Sequence, residues 1–144
     1  MAYNLSKIRG LIKKELKRDW KKLSFEYLLS KDELRVTTNL KLCYHEDDIQ
    51  VIFHIYSGGM ATYRAVFDKM DKNLETLNIV NDFNRTHTFF TAFVRSEGYL
   101  ELRNAFAYFS EKHFQSCSGE FLSRLADLAD DKYLKELTAK TSAE

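Results

Sequence analysis

The chain has 144 residues, of which 44% are hydrophobic and 30% charged, and its formal net charge is +1. This size suits one domain with a single core, and this composition excludes a chain that is disordered throughout. No apolar run approaches the roughly 18 residues that a membrane-spanning helix needs, so we expect one cytoplasmic domain over residues 1–144.

The charge is distributed unevenly along the chain. Residues 1–22 hold eight Lys or Arg against two acidic residues, whereas residues 23–144 hold fourteen against nineteen. A basic segment can contact nucleic-acid phosphates, but the rest of the chain is acidic, no aromatic residue is interleaved among those lysines, and no base-reading motif follows. We therefore expect a solvated basic face, or one that meets an acidic partner, and no nucleic-acid binding.

The first predicted element is an amphipathic helix from Leu5 to about Trp20, with Asn4 as its cap. Apolar residues recur there with helical spacing, while lysines occupy the other side. Phe25–Leu29 follows, and then a turn at residues 30–32.

Three strands are predicted before the second helix: Leu34–Tyr44, Ile49–Tyr56 and Met60–Phe67. The acidic turn His45-Glu46-Asp47-Asp48 separates the first two. Ser57-Gly58-Gly59 indicates a hairpin between the second and the third, because glycine accepts the positive φ that such turns require.

The second half of the chain predicts a helix, a hairpin and a final helix. These elements are Asp71–Asn84 with Asp71 as its cap, the strands Phe89–Arg95 and Tyr99–Tyr108, and a helix from Phe121 that continues towards Leu137. The predicted fold class is α+β, a mainly antiparallel sheet with helices packed on it in the order α-β-β-β-α-β-β-α.

A family resemblance rests on the stretch from the second helix to the last hairpin. The matching segments are Val80–Thr86, Phe89, Ala92–Val94, Glu97-Gly98 and Leu100–Leu102. Over residues 5–130 the chain resembles the YbjN family of bacterial sensory transduction regulators, whose fold is similar to that of type III secretion chaperones. The resemblance implies a homodimeric protein- or peptide-binding module, chaperone-like or regulatory, without catalytic residues.

Two asparagines stand out on the second helix. Asn81 and Asn84 fall within the apolar arc that Leu74, Leu77, Val80 and Phe83 define on a helical wheel. A buried amide needs partners, so we expect both side chains to bond backbone in the following turn or in a neighbouring strand. The alternative is that they bond a bound peptide or ligand at the edge of a groove.

Apolar residues also occupy what should be the second, solvated face of the sheet. Ile52, Tyr56, Phe89 and Phe93 form this candidate protein-binding surface. A sheet with one face in solvent alternates apolar and polar residues more regularly than this sequence does. Either helices therefore cover both faces of the sheet, or another chain buries part of the second face. A second copy or a client peptide would cover it.

No residue set predicts catalysis, a cofactor or a metal. His45, His54, His87 and His113 are scattered, and the carboxylates beside His45 read as a solvated turn. Cys43 and Cys117 lie 74 positions apart and are expected to be free thiols. The alternative to a binding module is a small-ligand-binding protein or an enzyme that uses a pocket beneath the second helix.

Overall fold

The computed structural model describes residues 2–42 and 48–139. The helices are α1 Leu5–Asp19, α2 Leu74–Thr86, α3 Cys117–Asp127 and α4 Lys132–Thr138, with single 3-10 turns at Glu111–Gln115 and Leu128–Asp130. The strands are β1 Glu26–Leu29, β2 Glu33–Leu40, β3 Ile49–Tyr56, β4 Met60–Lys69, β5 Thr91–Val94 and β6 Tyr99–Ala107. The α+β class is confirmed.

The predicted order of elements is wrong at two places. Four strands precede α2 instead of three, because the segment after α1 forms the separate strand β1. The single C-terminal helix is divided into α3 and α4, since Asp131 begins a new helix by accepting a hydrogen bond from the N–H of Leu134 at 2.9 Å.

The six strands form one antiparallel sheet in the order β1-β2-β3-β4-β6-β5. Gly59, between β3 and β4, and Gly98, between β5 and β6, have φ of 107° and 100°. These are left-handed values that glycine adopts without strain, which explains the two hairpin turns. β1 and β5 are the edge strands.

One face of the sheet carries the hydrophobic core. Alternate residues of β3, from Ile49 to Ile55, are buried on this covered face. Phe121 of α3 lies over its centre, with its ring centroid 5.7 Å from that of Phe53 and 5.6 Å from that of Tyr63. The opposite, open face carries half-buried and exposed side chains, with the exception of the buried Glu101.

Helix α1 forms as its sequence predicts. The Asn4 side chain accepts a hydrogen bond from the N–H of Lys7 at 3.1 Å, which satisfies one of the free donors of the first turn. Leu5, Ile8, Ile12 and Leu16, which repeat with helical spacing, are buried, whereas Leu11 is half-buried. Trp20 follows the last turn. The lysines of the helix remain exposed.

Helix α2 differs from its prediction in start and orientation. It is capped by Asn73 and not by Asp71. Leu74 is 75% exposed and Leu77 39%, whereas Ile79 is buried with Val80 and Phe83. The buried arc is rotated from the predicted one because α2 packs against both β5 and α4.

Candidate functional site

The outer edge of β5 is occupied by Asn84. Its Nδ2 donates to the carbonyl oxygen of Ala92 at 2.9 Å, and its Oδ1 accepts from the N–H of Ala92 at 2.7 Å. The side-chain amide therefore pairs with the edge as the backbone of another strand would. This is the backbone contact in a neighbouring strand that the sequence predicted for Asn84.

The outer edge of β1, in contrast, is unpaired. The N–H of Ser30 donates to the carbonyl oxygen of Glu33 at 2.9 Å and closes the β1–β2 hairpin. From this pair onward, hydrogen-bonded residue pairs alternate with pairs that are not hydrogen-bonded. By this alternation Leu28 bonds β2, and the N–H and C=O groups of Tyr27 and Leu29 point outward. Among the described residues no hydrogen bond reaches these outward groups.

A cleft of about 250 Å³ lies between the C-terminal half of α1 and β1. It is lined by Lys13, Leu16, Lys17, Trp20, Lys21, Leu23, Phe25 and Tyr27. Small-molecule pockets usually measure roughly 300–1,000 Å³, so this cleft suits one or two side chains better than a whole ligand. Apolar and aromatic groups form its walls beside the free strand edge.

The three lysines make the cleft cationic. The Nζ of Lys13 lies 4.8 Å from the centroid of the Tyr27 ring. No carboxylate in the described part of the chain lies within ion-pair distance of Lys13, Lys17 or Lys21. The expectation that no aromatic residue is interleaved among the lysines is wrong, because Trp20 stands directly before Lys21 in the sequence and Tyr27 lies beneath Lys13 in the fold. The sequence could not reveal the contribution of Tyr27, since β1 reaches α1 only through the fold.

The four residues of the predicted protein-binding surface do not share one face. Ile52, Tyr56 and Phe93 lie on the open face, where their register partners include Thr37 and Glu101. Ile52 and Phe93 are half-buried, and the guanidinium group of Arg103 lies 4.8 Å from the Phe93 ring centroid. A charged side chain thus already covers part of this apolar surface.

Phe89 lies on the helical side of the sheet. Its ring centroid is 6.3 Å from that of Phe121, and the Arg124 guanidinium group lies over it at 4.6 Å. It precedes β5 and does not follow the alternation of that strand, which is why the sequence placed it with Phe93. The open face instead includes two other exposed apolar residues, Leu28 at 61% and Met60 at 51%.

Asn81 is exposed, so its predicted burial is wrong. It lines a shallow groove together with Asn78, Asp82, Asn84 and Arg85, all of them residues of α2 itself. Among the described residues, no other element supplies a side chain to this groove, which lies along the helix and not beneath it. The polar groups that a ligand pocket under α2 would require do not converge there.

A buried polar cluster joins α1 to α3. Glu15 is 4% exposed, and its carboxylate accepts a hydrogen bond from the N–H of Gly119 at 3.0 Å. Burial raises the pKa of Glu15 to about 7, although the bond from Gly119 lowers it in part. Ser116, at the cap position of α3, makes no side-chain capping bond. Glu15 therefore caps α3 from another helix.

The neighbours of Glu15 do not form a nucleophile–base pair. The Tyr63 and Ser118 hydroxyl groups lie 2.9 Å apart, both buried. Burial raises the pKa of the Cys117 thiol to about 12, so the thiol stays protonated at neutral pH and is a poor nucleophile. The sequence does contain a signal for this cluster: Glu15 follows Ile12 by three residues and so lies in the apolar sector of α1, where a charged residue is unexpected.

Within residues 2–42 and 48–139, no group of three or more His, Cys, Asp or Glu residues is placed to hold a metal ion. Cys43 and the turn residues His45, Glu46 and Asp47 lie outside the described residues. His54 contacts the carboxylate of Glu33 at 2.9 Å, and His87 contacts that of Asp131.

Comparisons with known proteins do not assign the chain to a family. No family model matches it, and no curated protein matches it. Among the helices of residues 2–42 and 48–139, none is long and apolar enough to cross a membrane.

Proposed function

We propose that this chain is a non-catalytic protein- or peptide-binding module, chaperone-like or regulatory, that pairs an extended segment with the outer edge of β1. The observation that carries this proposal is the contrast between the two edges of one sheet. Asn84 occupies the edge of β5, whereas the edge of β1 is unpaired and borders an aromatic cleft. Strand addition to a free sheet edge is a recurrent mode of peptide recognition.

The strength of the interaction follows from the groups available. Tyr27 and Leu29 offer four outward backbone groups, each worth about 0.5–1.5 kcal/mol net, or roughly 2–6 kcal/mol together. Micromolar affinity requires about 8 kcal/mol, and ordering the segment costs further free energy. Side chains that enter the cleft must therefore supply the remainder, which is why the edge and the cleft act as one site.

The resemblance to the YbjN family implies a bacterial cytoplasmic homodimer. The open face is the surface that we propose for a second copy, because Leu28, Ile52 and Met60 leave apolar area without a covering helix among the described residues. The cleft lies on the covered side of β1, so a dimer through the open face leaves the cleft accessible.

To test this proposal, peptides are selected from a displayed library of random sequences for binding to the purified chain. Amide hydrogen exchange of the chain is then measured by NMR with and without a selected peptide. Binding should protect the amides of Tyr27 and Leu29 and leave that of Ala92 unchanged. Leu29→Pro should abolish binding without unfolding, because proline at an outward edge position removes no ladder bond. Failure to select any peptide, or a folded Leu29→Pro variant that binds like wild type, would contradict the proposal.

A further inference from the structure

The chemistry of the cleft specifies what kind of segment fits, if the proposed strand addition is accepted. Three ammonium groups, from Lys13, Lys17 and Lys21, surround it, and no carboxylate belongs to its lining. Each lacks an ion-pair partner in the described part of the chain, so a negatively charged group can enter without displacing an existing salt bridge. Charge complementarity therefore favours acidic side chains.

The geometry of an added strand determines where those side chains stand. Successive residues of a strand point to opposite faces, and Tyr27 is on the face of the sheet that α1 covers. Every second side chain of a segment paired with β1 thus points beneath the lysines of α1. The intervening side chains point to the open face, next to the exposed Leu28.

The aromatic walls add a second requirement. Trp20, Phe25 and Tyr27 offer apolar surface in a volume of about 250 Å³. An aromatic or large aliphatic side chain fills such a space, and a neighbouring carboxylate then reaches the ammonium groups at the rim.

We propose that the partner is an acidic extended peptide segment, with Asp or Glu at alternate positions around one large apolar residue, added as a strand to β1. A single-stranded nucleic acid is less well matched on two counts. Its phosphate oxygens accept hydrogen bonds but do not supply the alternating donors and acceptors of a strand that the N–H and C=O groups of Tyr27 and Leu29 pair with, and residues 23–144 carry an excess of five acidic residues that repels a long polyanion.

The experiment uses labelled synthetic peptides and fluorescence anisotropy with the full chain. The acidic probe is a short capped peptide that alternates glutamate with valine around a central phenylalanine. Matched probes replace each glutamate by glutamine or by lysine. We expect the glutamine probe to bind about tenfold more weakly, the lysine probe not to bind, and the acidic probe to lose affinity as salt is added.

Variants of the chain test the same contacts from the protein side. The double change Lys17→Glu and Lys21→Glu should weaken the acidic probe by about tenfold or more. Lys14→Glu reverses one charge on α1 outside the cleft and should change the affinity by no more than about twofold.

Backbone methylation of the probe tests strand addition separately from the preference for acidic segments. Of two probes methylated at alternate amides, one should bind and the other should not, because only one set of amides faces β1. If this pattern holds while the glutamine or lysine probe binds as tightly as the acidic one, strand addition stands and the acidic partner is overturned. If no peptide binds, or if only a single-stranded oligonucleotide binds, both proposals are overturned.

Discussion

The carboxyl group of Glu15 is a titration site in the core whose protonation is linked to stability near neutral pH. It is buried between α1 and α3, and one of its oxygens, Oε1, has no hydrogen-bond partner among the described residues. Its pKa is raised from 4.5 to about 7, chiefly by burial; the bond from Gly119 and the charge of Arg18 oppose this rise, and the charge of Asp19 adds to it. We examine the replacement Glu15→Gln, which retains an acceptor for Gly119 and removes the charge.

The expected magnitude follows from linkage between protonation and folding. Between pH 4.5 and 7 the folded state binds a proton at Glu15 that the unfolded state has lost, so the free energy of unfolding decreases as the pH rises. A shift of about 2.5 units corresponds to roughly 3 kcal/mol lost across this range. The stability that Glu15 contributes is fully present below pH 4.5 and is lost as the pH rises through 7.

Urea unfolding at a series of pH values measures this effect. Glu15→Gln should match wild type near pH 4.5 and exceed it by up to about 3 kcal/mol above pH 7, because the amide does not ionise. Other titrating groups remain in both proteins and cancel in the difference. Glu136→Gln, at an exposed position of α4, is the control and should leave the pH dependence unchanged.

The reasoning would be refuted by a Glu15→Gln curve parallel to that of wild type from pH 4.5 to 8. It would also be refuted if the variant were destabilised most at high pH, since that result would mean that the ionised carboxylate stabilises the fold through its cap on α3.

Three further predictions concern packing, the β5 edge and assembly. Gly119→Ala should lower the free energy of unfolding by about 1–3 kcal/mol, because the added Cβ would lie 2.3 Å from the Glu15 carboxylate oxygen that accepts the Gly119 hydrogen bond. Gly10→Ala is the control: open space surrounds Gly10, so this change should raise the free energy of unfolding by about 0.5–1 kcal/mol in the same urea assay. Asn84→Ala should lower the free energy of unfolding by about 1–3 kcal/mol and free the edge of β5, which should promote self-association measurable by light scattering. Asn81→Ala, at an exposed position of the same helix, should change the free energy of unfolding by less than about 0.5 kcal/mol. Sedimentation velocity should show a homodimer that Ile52→Lys dissociates, and a monomeric wild type would contradict the proposed dimer.

Local patterns in the sequence were sufficient for several elements. The capped amphipathic helix α1 and the turns at Gly59 and Gly98 form as predicted, because helical periodicity, an N-cap side chain and positive φ are properties of neighbouring residues. The antiparallel α+β class followed from the order of these signals. The separate strand β1 and the break before α4 did not, since short segments carry little periodicity.

The candidate site was decided by tertiary structure alone. Asn81 and Asn84 both fall within the predicted apolar arc of α2, and only the position of α2 beside β5 gives Asn84 a backbone to pair with and leaves Asn81 in solvent. Likewise, the lysines of α1 are visible in the sequence, but strand order alone makes β1 an edge and brings Tyr27 beneath Lys13. A local pattern specifies which side of an element is apolar; which strand edges remain unpaired depends on contacts between residues far apart in the chain.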